Sequence, residues 1–222
     1  CTLAAMATPD RYDVAGLDEA QWEPGAEGRV LRNLLHVTST REMDEIEGRE
    51  QVRVLEALAA TYDRDHRFTA EDVCRIHRMW LGGIYAWAGQ YRQVNLQKEG
   101  FPFAAAAQIP RLMAELEHGP LRTCTPCRPG PVAQVAASLA LVHVELVLVH
   151  PFREGNGRVA RLLAVLMGLQ ADLPPLGVQL DLGVREVDVQ QEPALGLANE
   201  SGQVRGAGRG LANIMRNTPQ PD

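Results

Sequence analysis

Two nearly continuous apolar segments, from Val132 to Val149 and from Val159 to Leu169, dominate the second half of the chain. Each is long enough for a helix, and a helix that is apolar on all sides belongs in a protein core. They meet at the polar stretch HPFREGNGRVAR, which runs from His150 to Arg161. The sequence therefore predicts two buried helices that meet at a polar loop, within a mainly α fold.

Apolar residues also recur at helical spacing in earlier segments, and Ser, Thr and acidic residues stand where helix caps are expected. The further predicted helices are 29–35, 40–58, a segment that follows Thr69 and turns Val73, Ile76, Met79 and Trp80 inward, and 108–118. Around Val94 and Leu96 the pattern changes to alternation, and Lys98-Glu99-Gly100 supplies a turn. This alternation predicts a small β-hairpin.

Composition divides the chain into three parts. The predicted parts are an irregular N-terminal arm at 1–28, one domain at 29–176, and a weakly specified C-terminal tail at 177–222. The arm is rich in Asp, Gly, Pro and Ala, and we expect Trp22 to pin it to the domain. In the tail we expect at best a short helix around Leu211–Met215.

The net charge of −6 argues against a nucleic-acid partner, because non-specific binding to nucleic acid needs a broad basic surface. We also expect no signal peptide and no membrane span. The most apolar segment is interrupted by Ser138, His143 and Glu145, and the N-terminus has no basic region before an apolar one.

The chain has 4 cysteines, too few for a disulfide-stabilised scaffold of this length, which favours the cytoplasm. Cys124 and Cys127 form a CxxC pair. A zinc site needs a second pair of ligands, so we interpret these two cysteines as part of a structural loop.

The polar stretch has the composition of a phosphate-binding site. Gly155-Asn156-Gly157 lies where the second apolar helix begins, so its backbone N–H groups can form an anion cradle at a helix N-terminus. Arg158 and Arg161 stand three residues apart, on neighbouring positions of one helix face. Two arginines on an apolar helix need anionic partners, which either successive phosphates or structural salt bridges would provide.

Glu154 is a single carboxylate beside this cradle, which fits a Mg²⁺ ion shared with substrate phosphates. His150 ends the first helix, where a neutral imidazole could take a proton from an attacking hydroxyl. Pro151 and Phe152 are interpreted as structural: one ends the helix and the other anchors the loop. His143, like His77 earlier in the chain, is predicted to be a packed residue, not a metal ligand or a catalytic group.

The stretch HPFREGNGR followed by Arg161 resembles the signature of the Fic family, HPFx[D/E]GNGRxxR, at every specified position. The segments YAWAGQYRQVNLQKEGFPFAAA and VLRNLLHVTSTREMDEIE resemble the flap and the N-terminal region of bacterial members. The resemblance implies a Fic-type helical bundle with a small β-hairpin flap over the active site. It also implies transfer of AMP from ATP to a Ser, Thr or Tyr hydroxyl of a protein target.

By the same resemblance His150 is the general base, Glu154 holds Mg²⁺, and the Gly-Asn-Gly segment forms the anion hole. Arg158 and Arg161 would bind the β- and γ-phosphates of ATP. The flap would dock the target as an added strand, a common use of a sheet edge. Its residues are Val94, Asn95, Leu96, Gln97 and Lys98, and Lys98 is also a candidate contact to the nucleotide.

Many Fic enzymes are inhibited by a glutamate in a motif [S/T]xxxE[G/N], which pairs with the second motif arginine, here Arg161. Glu47-Gly48 supplies the end of such a motif, but Met43 stands in place of Ser or Thr. This departure favours a toxin-like enzyme restrained by a separate small antitoxin. Two other functions stay open: phosphate transfer of the death-on-curing type, against which Gly157 argues, and a non-catalytic Fic-fold binding module.

Overall fold

The structure, a computed structural model, describes residues 16–173. It is mainly helical. Its elements are α1 (Thr40–Thr61), α2 (Ala70–Leu81), β1 (Gln97–Lys98), β2 (Phe101–Pro102), α3 (Ile109–Leu116), α4 (Arg122–Cys124), α5 (Val132–Val149) and α6 (Asn156–Gln170). The first part of the predicted arm, and the predicted tail with its short helix at Leu211–Met215, lie outside the described residues.

The helix predicted at 29–35 is wrong. The chain there is extended: Trp22 and Leu31 form an antiparallel bridge, and the N–H of Glu23 donates to the carbonyl of Val30. The Asn33 side chain explains the difference, since its Oδ1 accepts the N–H groups of Leu35 and Val37. Such side-chain bonds to the backbone compete with helix formation. Trp22 also lies 5.9 Å from the Arg153 guanidinium, so it does contact the domain.

Local sequence sets the starts of α1 and α2. The Ser39 hydroxyl accepts the N–H of Glu42, and Thr69 and Asp72 form a reciprocal capping box. In α2 the apolar face predicted from the spacing is buried, with Val73 and Ile76 fully enclosed. The capping residues therefore predict where these helices start, and the amphipathic pattern predicts their inward face. Helix α1 continues to Thr61, beyond the predicted end at 58.

Helices α5 and α6 pack against each other, as predicted, but they are not buried to the same extent. Helix α6 lies in the core, where Val159 and Leu163 are completely enclosed. On α5 only one face is buried, and Val132, Leu141 and Val144 are 74%, 38% and 44% exposed. The prediction that α5 is buried all round is wrong, because residues 16–173 supply helices for only one of its sides. By length and composition alone, α5 could also cross a membrane.

The hairpin predicted around Lys98 forms, although it is short. Gln97 pairs with Pro102 and Lys98 pairs with Phe101 in antiparallel register. Glu99 and Gly100 both have positive φ, as a two-residue hairpin turn of primed type requires. Beyond it α3 runs without a break into a π-helical turn at Glu117–Leu121 and then into α4, so the helical chain does not end at 118 as predicted but continues to Cys124.

Candidate active site

His150 is the C-terminal cap of α5 and adopts a left-handed backbone conformation, with φ of 52°. Its N–H donates to the Leu146 carbonyl at 3.0 Å. Its ring Nδ1 lies 3.2 Å from the Val147 carbonyl oxygen. A carbonyl can only accept, so Nδ1 carries the proton and Nε2 of the neutral ring has a lone pair. The geometry thus supplies the tautomer that a general base needs.

The loop after His150 is held by side chains buried beneath it. The Asn156 amide bonds both backbone groups of Phe152, with Oδ1 to the N–H and Nδ2 to the carbonyl. The Phe152 ring stacks on His77, with centroids 3.9 Å apart. The Asn156 side chain therefore has a structural role, and only its backbone N–H can belong to the predicted anion hole.

His77 is fully buried and, as expected, a packed residue. Its Nδ1 accepts the N–H of Gly89 at 2.7 Å, so its Nε2 carries the proton and donates to the Glu154 carbonyl at 3.1 Å. Burial lowers the pKa of His77 to about 4, which keeps the ring neutral. A neutral imidazole here connects α2 to the loop that precedes α6.

Gly155 caps the N-terminus of α6 with φ of 81°. A Cβ at this position would lie 2.6 Å from Cζ3 of Trp80, so no residue with a side chain fits. As at the start of any α-helix, the N–H groups of the first turn of α6 have no acceptor within the helix. The Gly155 N–H already donates to Oε1 of Glu154 at 2.9 Å, and the anion cradle at this end of α6 stays a prediction.

Arg158 lies between two carboxylates. Its Nη2 is 2.7 Å from Oε2 of Glu47 and 3.0 Å from Oε1 of Glu154, and its guanidinium lies 4.6 Å from the centroid of the Trp80 ring. Burial alone would lower the pKa of Arg158, but the two carboxylates hold it above its usual value. The Tyr85 hydroxyl donates to Oε1 of Glu47 at 2.7 Å, which fixes that carboxylate in the site.

The pairing of Glu47 with Arg158 departs from the expectation of Arg161 as its partner. Among the described residues no carboxylate pairs with Arg161, and its Nε is buried without a hydrogen-bond partner. Three residues make almost one full turn of a helix, so Arg158 and Arg161 lie on a similar side of α6 but at different heights along its axis. Glu47 on α1 therefore reaches Arg158 and not Arg161. Arg161 is left with an unsatisfied buried donor, which an anion would satisfy.

Glu154 has its Oε1 bound by Arg158 and by the N–H of Gly155, at 3.0 and 2.9 Å. In residues 16–173 no cluster of three or more His, Cys, Asp or Glu side chains forms a metal site. One carboxylate beside an anion cradle still fits Mg²⁺, which takes most of its other ligands from water and phosphate.

The predicted flap residues divide into two groups. The side chains of Val94 and Leu96 are buried, and their role in docking a target stays a prediction. Asn95 is exposed, and its Oδ1 accepts the N–H of Ala106. Gln97 and Lys98 form the half-buried strand β1, and they are the flap residues that an added strand could meet.

Some residues that shape the site were not predicted. Phe103 stacks on His150 with ring centroids 3.6 Å apart, Arg92 donates to the His150 carbonyl, and Tyr85 binds Glu47. Phe103 and Arg92 flank the hairpin, within the segment that resembles the flap. That position next to the flap was the signal in the sequence that could have identified them as site residues. Their contacts are distant in sequence, and periodicity carries no information about them.

Comparison with known proteins agrees with this geometry. The family model described as "Fic/DOC family" matches residues 67–167, from the start of α2 to near the end of α6. The protein adenylyltransferase VbhT of Bartonella schoenbuchensis is 30% identical over 145 residues, which is 60% of this chain and 27% of VbhT. The chain spans about a quarter of the length of the first curated relatives it matches.

Solved structures show the same fold. BepC of Bartonella tribocorum, with bound AMPPNP, superimposes with a TM-score of 0.60 at 21% identity, over 70% of this chain and 80% of that one. The N-terminal Fic domain of a Bartonella quintana effector protein, with bound ADP, gives 0.55 at 26% identity, over 64% and 72%. With the motif, the fold and the family model in agreement, residues 67–167 of this chain form a Fic/DOC family domain.

Proposed function

We propose that this chain is a protein adenylyltransferase that transfers AMP from ATP to a Ser, Thr or Tyr hydroxyl of another protein. The observation that carries the proposal is the bond from Nδ1 of His150 to the Val147 carbonyl, which leaves Nε2 as the proton acceptor. Relatives named protein adenylyltransferase support the choice of AMP.

In the proposed reaction the target hydroxyl oxygen attacks the α-phosphorus of ATP, and its proton passes to Nε2 of His150. The bond from the α-phosphorus to the bridging oxygen breaks, and pyrophosphate leaves. Backbone N–H groups at the start of α6 would bind the phosphate oxygens. Arg158 and Arg161 bind the β- and γ-phosphates, and the buried Nε of Arg161 gains a partner.

Glu154 is the proposed ligand of Mg²⁺, together with phosphate oxygens and water. The ion would neutralise charge on the triphosphate when bound. Since Glu154 pairs with Arg158, phosphate binding to Arg158 would also release the carboxylate for the metal. Gln97 and Lys98, which form β1, would align an extended target segment by backbone hydrogen bonds.

Glu47 is the proposed restraint on this site. Its carboxylate binds Arg158 where a phosphate is expected, and it is 3% exposed. Met43 departs from the usual inhibitory motif and the arginine bound is Arg158 in place of Arg161, but Glu47 would still compete with a phosphate for a motif arginine. A separate antitoxin stays a prediction, as do the toxin-like role and the cytoplasmic location.

Incubation with ATP labelled at either the α- or the γ-phosphate tests the function. We expect protein labelling from α-labelled ATP only, and none with His150→Ala. Label from γ-labelled ATP would instead support phosphate transfer of the death-on-curing type. A chain that neither binds ATP nor labels protein would be a binding module.

A further inference from the structure

Arg92 is 1% exposed, and its guanidinium donates to three backbone carbonyls. Nε donates to the His150 carbonyl at 2.7 Å, Nη1 to the Val94 carbonyl at 2.6 Å, and Nη2 to the Ala104 carbonyl at 2.6 Å. The Arg92 N–H also donates to the Pro151 carbonyl at 2.9 Å. Arg92 thus binds the end of α5 and the two segments that flank the hairpin. These segments, here called the flap legs, contain Val94 before β1 and Ala104 after β2.

A second contact joins the same parts. Phe103, next to Ala104, covers one face of the His150 ring at 3.6 Å with an interplanar angle of 15°. The N–H of Phe103 donates to the Leu96 carbonyl, so the ring is fixed by the base of the hairpin. Any shift of the flap legs relative to α5 must disturb either this stack or the Arg92 bonds.

We propose that Arg92 is a positioning residue that couples the flap to His150. It holds the carbonyl of a residue in left-handed conformation, which sets the direction of the imidazole, and it places Phe103 against that ring. A target segment docked on the flap is thereby held in a fixed position relative to His150. This role rests on the proposed function, in which the flap docks the target and His150 takes the proton.

Only arginine has the required shape. Its planar group carries donors in three directions, whereas the donors of lysine all lie on one nitrogen. The Glu19 carboxylate, which accepts the N–H of Gln93 at 2.6 Å, compensates the buried charge. Burial lowers the pKa of Arg92 to about 10, so the side chain stays charged at neutral pH.

The test compares Arg92→Lys and Arg92→Gln with Arg153→Gln in the full chain. Arg153 is a matched control, because it is 6% exposed and its Nε donates to the Glu19 carbonyl. Nitrogen-15 NMR of histidine-labelled protein reports the His150 tautomer and its titration, and α-labelled ATP reports the rate of self-labelling. We expect both Arg92 variants to bind ATP within about twofold of the wild type. We also expect them to lose the Nδ1–H tautomer signal, to shift the pH profile and to label at least tenfold more slowly.

Arg153→Gln should keep the His150 spectrum. A folded Arg92→Gln with the wild-type tautomer and pH profile would overturn the proposal. If the Arg92 variants do not fold, Phe103→Leu tests the coupling: an unchanged His150 titration overturns it and a shifted one supports it. If the wild type transfers no AMP but Arg92→Gln, unlike Arg153→Gln, changes the His150 signals, the positioning role stands and the proposed function fails.

Discussion

At the residue scale, the local conformation at Gly155 was predictable because it depends on the backbone of a few residues. Glycine is required at 155 by the positive φ and by Trp80, and a helix start favours anions through its N–H groups. The partners of the motif residues were not predictable in this way. Whether Glu47 meets Arg158 or Arg161 depends on how α1 packs on α6, which is a property of the whole core.

Replacement of Glu47 by Gln removes the carboxylate that binds Arg158 but keeps its shape. We expect self-labelling by α-labelled ATP to rise at least tenfold and ATP to bind more tightly, because phosphate no longer competes with a carboxylate for the arginine. Isothermal titration and a labelling time course measure both effects.

Glu45→Gln is the matched control on the same helix, since Glu45 pairs only with exposed Arg41 in the described part of α1. It should behave as the wild type. If Glu47→Gln labels no faster than this control, Glu47 does not restrain the site, and the antitoxin expected from the sequence becomes the better explanation.

At the element scale, helices with clear caps and one apolar face were predicted well, as α1 and α2 show. Two predictions failed for physical reasons. In the segment 29–35 the Asn33 side chain binds the backbone, so apolar spacing did not produce a helix. On α5 the composition is apolar all round, and no pattern in the sequence indicates which side lacks a neighbour.

The one-sided packing of α5 can be measured. Leu146 is 1% exposed and Leu141 is 38% exposed on the same helix. Leu146→Ala should lower the free energy of unfolding by about 2–5 kcal/mol, whereas Leu141→Ala should cost less than about 1 kcal/mol. Urea denaturation followed by circular dichroism gives both values. Equal losses would mean that the outer face of α5 is covered.

His77 should make the junction of α2 and the motif loop sensitive to acid. Its pKa is lowered from 6.5 to about 4 by burial, so the unfolded chain binds a proton more readily than the native one. The contribution of neutral His77 to the free energy of unfolding is therefore fully present above pH 6.5, and it is lost as the pH falls towards 4. We expect a loss of about 2 kcal/mol from this group between pH 7.5 and 5.0.

His77→Gln keeps a donor for the Glu154 carbonyl and has no proton to gain. Urea denaturation at the two pH values should show a smaller loss for this variant than for the wild type. His118→Gln is the control, because His118 is exposed. Equal losses for the wild type and His77→Gln would show that His77 is not the acid-sensitive group.

At the scale of the whole molecule, the net charge of −6 should repel ATP, so any affinity for it must come from local groups. Arg158 and Arg161 are the arginines of α6, and the cradle at the start of that helix adds its dipole. The acidic net charge could be read from the composition, and the two local arginines could be read from the motif. The extent of the matched domain, residues 67–167, was not, and the boundaries at 29 and 176 stay predictions.

Binding of ATP to this site should stabilise the chain as a whole. With Mg²⁺ and ATP at about a hundred times its Kd, the native state gains about 2.7 kcal/mol, or a rise in Tm of roughly 5–10 °C. Arg161→Gln should lose most of this rise, because its guanidinium is the proposed phosphate partner, while exposed Arg111→Gln should keep it. Thermal unfolding with ATP, with and without EDTA, separates the contribution of the metal from that of the arginines. If the Tm of the wild type is the same with and without ATP and Mg²⁺, the cradle does not hold a nucleotide. The unsatisfied Nε of Arg161 would then need another anion.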